Sequence, residues 1–319
     1  MTGDESVAIV IPTYQRRELA ARAVESVLAQ SHAATTAVVV DDGSTDGTAE
    51  FLRMRFPTRV SVLVNPRNLQ RSASRNRGVR ECAAEFVGFL DSDDRLLPDA
   101  VERRLALFRE DPDFDGVVFG LRSGRPPRRR EGGPDPLARG ARPGPDDYLH
   151  DARWLHCNGL LARRSLWRER GLFDESLLSR EYTELFLRLL TTVEFRGCGA
   201  VVTDVLPDAS DRVRERWDAI AEHWNVVSRA LEARPEVHAA LGPERMAVLR
   251  RSEYGDRLRA LYRMGLGRDY RETWRAARAA GLAPRDPAFR RRYFLSFLRS
   301  RARRAAADAT APHPKENSP

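Results

Sequence analysis

The stretch VAIVIPTYQR, residues 7–16, decides the fold. Its first five residues form a short, uninterrupted apolar run that is rich in β-branched side chains, a pattern typical of a buried strand. Pro12 ends the run, and the polar residues Thr13 and Tyr14 follow it. The stretch therefore predicts a buried strand with polar side chains at its carboxyl end.

Similar short apolar runs recur along the N-terminal half and alternate with helical patterns. The predicted strands cover residues 7–11, 37–40, 60–64 and 86–90, and the predicted helices cover residues 17–30, 48–56 and 72–84. Alternation of this kind is typical of a parallel sheet with right-handed crossovers. We therefore predict an α/β fold with a mostly parallel central sheet flanked by helices.

The remainder of the chain has a different composition. Residues 122–147 are rich in glycine, proline and arginine and predict a loop. Beyond residue 211 the pattern is helical and rich in arginine, with a helical hairpin at 245–280 and a basic amphipathic helix at 289–304. The predicted division is an α/β domain at residues 1–210, a helical C-terminal region at 211–304 and a disordered tail at 305–319.

Composition and charge narrow the class of protein. Hydrophobic residues make up 42% and charged residues 31% of the 319-residue chain, which is typical of a soluble globular protein. The net charge is +8, but it comes almost wholly from arginine, and no recognised nucleic-acid motif accompanies it. We therefore expect no nucleic-acid partner. The charge favours anionic ligands such as diphosphates, or an anionic membrane surface.

Location is predicted from cysteine use and hydropathy. The three cysteines are too few and too scattered for a disulfide framework, which favours a reducing compartment. There is no run of about 20 apolar residues, as a transmembrane helix would need. The prediction is a cytoplasmic protein, with peripheral contact at the inner face of the membrane through the basic helix at 289–304.

Polar side chains follow three of the predicted strands. They are Thr13 and Tyr14, then Asp41 and Asp42, then the segment 91–93. Ligands bind at the carboxyl ends of strands in open parallel sheets. Three polar clusters at one sheet edge therefore predict a single binding site.

Asp91-Ser92-Asp93-Asp94 is the most acidic of these clusters. Carboxylates so close together repel one another and become favourable around a divalent cation, and oxygen ligands suit Mg²⁺ or Mn²⁺. The alternative is an aspartate-rich turn that caps the next helix.

Arg71 and Arg75 lie four residues apart and share a helix face. Arginine side chains bind phosphate oxygens in a fork, although such a pair is more commonly a solvated basic face. The carboxylates of Asp41 and Asp42 are suited to accept hydrogen bonds from a base or a ribose, or else to form a turn and cap.

Five segments together resemble family 2 glycosyltransferases of the GT-A fold. Four of them, VAIVIPTYQR, VVVDDGSTDGT, NLQRSASRNRG and FLDSDD, occur in this order in the N-terminal half. The fifth, GLFDESLLSREYTELFLRLL, is similar to the acceptor-side motif of that family. The resemblance covers roughly residues 7–190.

The resemblance implies an inverting transfer of a sugar from a nucleoside-diphosphate sugar, with a UDP- or dTDP-sugar favoured, to an acceptor hydroxyl. It implies metal binding by Asp91 and Asp93, with Mn²⁺ or Mg²⁺ as cofactor. The expected acceptor is a saccharide, a lipid-linked or a natural-product molecule, and the lack of the processive synthases' motif implies a single addition. The implied donor-binding residues are Pro12, Thr13, Tyr14, Arg16, Asp41, Asp42, Arg71, Arg75, Asp91 and Ser92.

The match departs from the family pattern at the expected catalytic base. Tyr182 stands where the family usually carries an aspartate. Glu181 and Glu184 are the candidates for the base, and each is also explained as an ordinary carboxylate near a helix N-terminus. Residues 206–210 lack the arginine or histidine that many members carry there. The alternative function is a catalytically weak nucleotide-sugar-binding module.

His156, Cys157 and Asn158 lie near the expected acceptor side. One histidine and one cysteine are too few for a metal site. We expect these residues to serve in packing or in acceptor contact.

Overall fold

The structure, a computed structural model, describes residues 5–123, 135, 138–152, 155–205, 217–293 and 295–296. The chain divides into two compact units. The α/β unit comprises residues 1–210 and 230–241, and the helical unit comprises residues 211–229 and 242–319. We keep the predicted division at residue 210 as a proposal for where the domains separate.

One eight-stranded sheet forms the centre of the α/β unit. Its strands are β1 (Val7–Thr13), β2 (Thr35–Asp41), β3 (Val60–Val64), β4 (Phe86–Phe89), β5 (Asp94–Leu96), β6 (Val117–Arg122), β7 (Leu160–Arg163) and β8 (Phe195–Val205). The spatial order is β3-β2-β1-β4-β7-β6-β8-β5. The half formed by β3, β2, β1 and β4 is parallel.

The other half of the sheet is mixed. Strand β7 runs antiparallel to both β4 and β6, and β5 runs antiparallel to β8, whereas β6 and β8 are parallel. The predicted α/β fold is confirmed. Its four predicted strands are all present, and together they form the parallel half of the sheet.

Helices pack on the sheet and build the helical unit. They are α1 (Arg17–Leu28), α2 (Thr48–Arg55), α3 (Gln70–Glu81), α4 (Ala100–Glu110), α5 (Pro145–His150), α6 (Arg164–Glu169), α7 (Glu181–Leu190), α8 (Trp217–Glu222), α9 (Val226–Glu232), α10 (Pro235–Arg263) and α11 (Gly267–Ala279). In α1 the buried residues Ala20, Val24 and Val27 recur with helical spacing, which is why this segment folds as a helix against the sheet.

The helical unit has a small core of its own. Tyr270 and Trp274 of α11 pack with Phe289, and the Tyr270 hydroxyl donates a hydrogen bond of 2.8 Å to the Phe289 carbonyl. Phe289 belongs to the predicted amphipathic helix, of which residues 289–293 and 295–296 are helical and described. Its first aromatic residue is thus buried within the unit.

Some predicted segments fall outside the described residues. These are half of the loop at 122–147, the stretch 206–210, the end of the helix at 289–304 and the tail at 305–319. Within the described part, helix α5 begins at Pro145, so the last three residues of the predicted loop are helical instead. No helix in that part is both long and apolar enough to cross a membrane.

Two glycines shape the loop between β2 and α2. Gly43 and Gly47 both have φ of 78°, in the left-handed region that favours glycine. A Cβ atom on Gly43 would lie 2.7 Å from the backbone carbon of Arg67, whereas one on Gly47 would meet nothing within 4 Å. Of these two glycines, only Gly43 therefore lies against the backbone ahead of α3.

Alanine substitutions should separate the effect of the left-handed backbone conformation from that of the close approach to Arg67. We expect Gly47→Ala to cost about 1 kcal/mol, the price of a left-handed conformation. Gly43→Ala should cost distinctly more, because a backbone atom must also move. Urea unfolding followed by circular dichroism measures both. Equal losses would contradict the close approach to Arg67.

Candidate functional site

The acidic cluster forms a tight turn between β4 and β5, which we call the acid turn (residues 91–94). Asp91, Asp93 and Asp94 each offer one carboxylate oxygen, and these oxygens all lie within 4.8 Å of one another. Carboxylate oxygens are the ligands preferred by Mg²⁺ and Mn²⁺. The donor set of the acid turn therefore fits a divalent cation, with Asp94 added to the two residues predicted from sequence.

Arg75 of α3 forms a buried ion pair with Asp91. Its Nη2 atom lies 2.6 Å from Asp91 Oδ1, and its side chain is fully buried. The guanidinium lies over the rings of Phe173 and Tyr182, 5.2 and 4.8 Å from their centroids. Sequence analysis predicted Arg75 as a donor-binding residue. In the structure its guanidinium group contacts Asp91 of the acid turn from the buried side.

The charge of Asp91 is set by its basic neighbours. Burial opposes ionisation of this carboxyl group, but the charges of Arg75, His156 and Arg71 outweigh burial and lower its pKa from 3.8 to about 2. Burial lowers the pKa of the neighbouring His156 to about 4, against the opposing effect of Asp91. At neutral pH Asp91 is therefore an anion and His156 a neutral ring.

Asn158 joins the two ends of the acid turn. Its Oδ1 accepts a hydrogen bond of 3.0 Å from the backbone N–H of Asp91, and its Nδ2 donates one of 2.7 Å to Asp94 Oδ2. The role predicted for Asn158 from sequence is packing or acceptor contact, which does not include this link. The sequence feature that could have indicated this link is a polar amide side chain directly before Gly159 and the apolar residues of β7.

Glu181 and Tyr182 start α7 beside the same arginine. Glu181 Oε1 lies 3.2 Å from Arg71 Nη2 and 3.7 Å from Arg75 Nη1, and its side chain is only 4% exposed. The Tyr182 hydroxyl contacts Arg75 Nη2 and lies 3.4 Å from Asp91 Oδ1. The residue that departs from the family pattern is thus hydrogen-bonded within the site.

Glu184 has a different environment. Its Oε1 accepts a hydrogen bond of 2.8 Å from Arg188 Nε and lies 3.2 Å from Arg234 Nε. Arg188 also donates to the carbonyls of Arg170 and Leu172 at 2.7 Å each. This carboxylate belongs to a buried ion pair that holds the segment leading to Phe173. That packing leaves Glu181 as the stronger candidate for the base.

The two aspartates at the end of β2 have separate contacts. Asp42 accepts hydrogen bonds from the backbone N–H groups of Leu69 and Gln70, both at 2.9 Å, and so fixes the start of α3. Asp41 accepts one of 3.0 Å from the N–H of Ser44. Both carboxylates are buried, and their predicted role in donor binding stays a prediction.

The end of β1 lies between these aspartates and the acid turn. Pro12 pairs with β2, and Thr13 is buried with a hydroxyl that has no hydrogen-bond partner in the described part of the chain. Tyr14 is 43% exposed. Arg16 Nη1 lies 3.4 Å from Asp93 Oδ2. The predicted residues of β1 and of the acid turn therefore meet at one edge of the sheet, where Ser92 is buried.

The ion pair makes a prediction about acid stability. The pKa of Asp91 is lower in the folded chain than its ordinary value of 3.8, so ionisation of this carboxyl group stabilises the fold fully above pH 3.8. That stabilisation is lost as the pH falls toward 2. We expect the stability advantage of the wild type over Asp91→Asn to shrink by about 1 kcal/mol between pH 5 and pH 3. Urea unfolding at both pH values measures it. A constant difference would show that Arg75 does not hold Asp91 ionised.

Comparison with known proteins identifies relatives of the α/β unit. The family model described as glycosyl transferase family 2 matches residues 8–165. The chain is 32% identical over 125 residues to the putative teichuronic acid biosynthesis glycosyltransferase TuaG of Bacillus subtilis, a match that covers 38% of this chain and 50% of that protein. It is 39% identical over 106 residues to chondroitin synthase of Escherichia coli, covering 33% of this chain and 16% of that protein. The chain spans half or less of the length of these curated relatives.

A solved structure resembles the chain over nearly its whole length. It is that of residues 1–349 of S. aureus TarS in complex with UDP-GlcNAc, with a TM-score of 0.61 and 16% identity, and the match covers 94% of this chain and 92% of that one. At this identity the likeness concerns the fold, and it confirms the predicted GT-A fold with its helical C-terminal extension. Through residues 8–165, the chain belongs to glycosyl transferase family 2.

Proposed function

We propose that this protein is an inverting glycosyltransferase that moves a sugar from a nucleoside-diphosphate sugar to an acceptor hydroxyl in single additions. The observation that carries the proposal is the acid turn, whose three carboxylates converge where β1 and β4 end. Family membership supports the reaction class. The neighbour that binds UDP-GlcNAc supports a UDP-sugar as the donor, with a dTDP-sugar as the alternative.

Asp91 and Asp93 would hold the divalent cation, Mn²⁺ or Mg²⁺. Asp91 stays ionised beside Arg75, and Asp93 is partly exposed beside Arg16. When bound, such a cation supplies positive charge that neutralises the leaving diphosphate. Arg16 and Arg71 are partly exposed and would add charge-assisted hydrogen bonds to phosphate oxygens.

The transfer step requires a base for the acceptor. The acceptor oxygen attacks the anomeric carbon, and the bond from that carbon to the diphosphate oxygen breaks with inversion. The acceptor proton passes to a carboxylate within hydrogen-bond reach. We assign this role to Glu181. Arg71, which is 42% exposed, lies 3.2 Å from Glu181. Movement of Arg71 toward a bound phosphate would uncover the carboxylate for the acceptor, while Arg75 Nη1 stays 3.7 Å from it.

The acceptor would be a saccharide, a lipid-linked or a natural-product molecule. The relatives named for teichuronic acid and chondroitin support a saccharide polymer and a role in cell-surface polysaccharide synthesis. Peripheral membrane contact through residues 289–304 stays a prediction. Arg290 and Arg291 are exposed on the described part of that helix and would face anionic headgroups.

A catalytically weak binding module is the second candidate. The observation in its favour is Tyr182, which stands at the sequence position where the family usually has the aspartate that acts as base. Its hydroxyl lies beside Arg75 and Asp91. Turnover separates the two functions, because a binding module would retain the donor without releasing nucleoside diphosphate.

Loss of Asp93 should abolish the metal-dependent reaction. We expect Asp93→Asn to lower kcat/KM for Mn²⁺-dependent release of nucleoside diphosphate from a UDP-sugar by about 100-fold or more. The matched control is Asp115→Asn, at an exposed position of the same unit, which should behave as the wild type. Wild-type activity in Asp93→Asn would remove this residue from the site.

Glu181 and Glu184 form a second matched pair, one helical turn apart. We expect Glu181→Gln to lower kcat by about 100-fold while leaving the Kd for UDP within a few-fold, because a base acts in the chemical step. Glu184→Gln should instead lower the melting temperature, because it breaks the buried pair with Arg188. Steady-state kinetics, calorimetry and thermal unfolding measure the three quantities. Full activity in Glu181→Gln would mean that a different group acts as the base.

A further inference from the structure

We propose that Asn158 is a positioning residue for the divalent cation, an inference that rests on the proposed function. Its side-chain amide holds both ends of the acid turn, through the backbone N–H of Asp91 and the carboxylate of Asp94. The cation would be bound by the aspartates. Asn158 would act through them by fixing where their oxygens lie.

The chemistry of the two contacts requires an amide. Asp91 presents an N–H donor and Asp94 presents an acceptor, so one planar group must accept on one side and donate on the other. The partners leave one orientation for the amide, with Oδ1 toward Asp91 and Nδ2 toward Asp94. An aspartate at 158 would lack the donor, and a leucine would lack both groups.

Asn158 is itself held rigidly. Its backbone carbonyl accepts a hydrogen bond of 3.2 Å from Thr203 Oγ1, and its backbone N–H donates one of 3.3 Å to His156 Nδ1. The buried Arg104 donates from Nη1 to the carbonyl of Leu160, two residues further on, at 2.9 Å. A Cβ atom on Gly159 would lie 2.2 Å from the Gly120 carbonyl oxygen, so the segment packs directly against the backbone of β6.

The rigid placement of Asn158 matters because the three carboxylates of the acid turn repel one another. One oxygen from each of the three carboxylates lies within 4.8 Å of the others, and the guanidinium groups of Arg75 and Arg16 offer two positive charges against their three negative charges. A turn free to open would relieve that repulsion by moving the oxygens apart, and the cation would then have to draw them back together. The amide clamp keeps the ligand oxygens close before binding. Hydrogen-bond partners of metal ligands commonly contribute in this way.

Removal of the amide should weaken cation binding. We expect Asn158→Ala to raise the Kd for Mn²⁺, measured by electron paramagnetic resonance of free Mn²⁺ in saturating UDP, by about 10- to 100-fold. The matched control is Gln30→Ala. Gln30 is another buried amide that bridges backbone groups, at Leu97 and Val101, and its loss should lower the melting temperature without changing the Kd for Mn²⁺.

A double-mutant cycle tests whether Asn158 acts through Asp94. If it does, Asn158→Ala adds little further loss of Mn²⁺ affinity to a chain that already carries Asp94→Ala. Fully additive losses would overturn the inference. If Asn158→Ala does not fold, Asn158→Ser is used in its place, because a hydroxyl group is too short to span both ends and should raise the Kd about tenfold.

The outcomes distinguish this inference from the proposed function. Wild-type protein that binds Mn²⁺ and UDP, with Asn158→Ala and Asn158→Ser unchanged in Kd, would refute the positioning role alone. Wild-type protein that binds no Mn²⁺ in the presence of UDP would contradict both. A raised Kd in the Asn158 variants, with Gln30→Ala at the wild-type value, supports the positioning role.

Discussion

The buried ion pair between Arg75 and Asp91 is the interaction on which the site depends. A cation with no exposed surface must be balanced by an anion, and loss of one member of such a pair costs about 3–5 kcal/mol. Arg75 reaches Asp91 from α3 and meets Glu181 and Tyr182 at the start of α7. The pair therefore connects the acid turn to the residues where the base is expected. It also helps to lower the pKa of Asp91 to about 2, so this carboxyl group is ionised at neutral pH.

The parallel half of the sheet could be predicted from sequence because three of its strands, β1, β2 and β4, are buried and apolar. Uninterrupted runs such as residues 7–11 and 37–40 have few alternatives to a buried strand. Strands β5 and β8 were harder to predict, since β5 has three residues and β8 is partly exposed. Their pairing is set by contacts between distant segments, which a local pattern does not record.

The sequence was sufficient to predict which residues form the candidate site, but not how most of them contact one another. Asp91 and Asp93 could be placed because they follow a clear strand, and the resemblance supplied their role. The full burial of Arg75 could not be read from its helix, whose arginines resemble a solvated face. Asn158 was missed for a similar reason: it lies 64 residues beyond Asp94, and only the antiparallel pairing of β7 with β4 brings the two together.

The central claim is that the acid turn binds a divalent cation together with a nucleoside diphosphate. Crystals grown with Mn²⁺ and UDP, measured at the manganese absorption edge, test it most directly. We predict an anomalous peak at coordinating distance from the carboxylates of Asp91 and Asp93, together with density for the diphosphate of bound UDP. Bound UDP without a manganese peak at the acid turn, or with the peak at another group of residues, would contradict it.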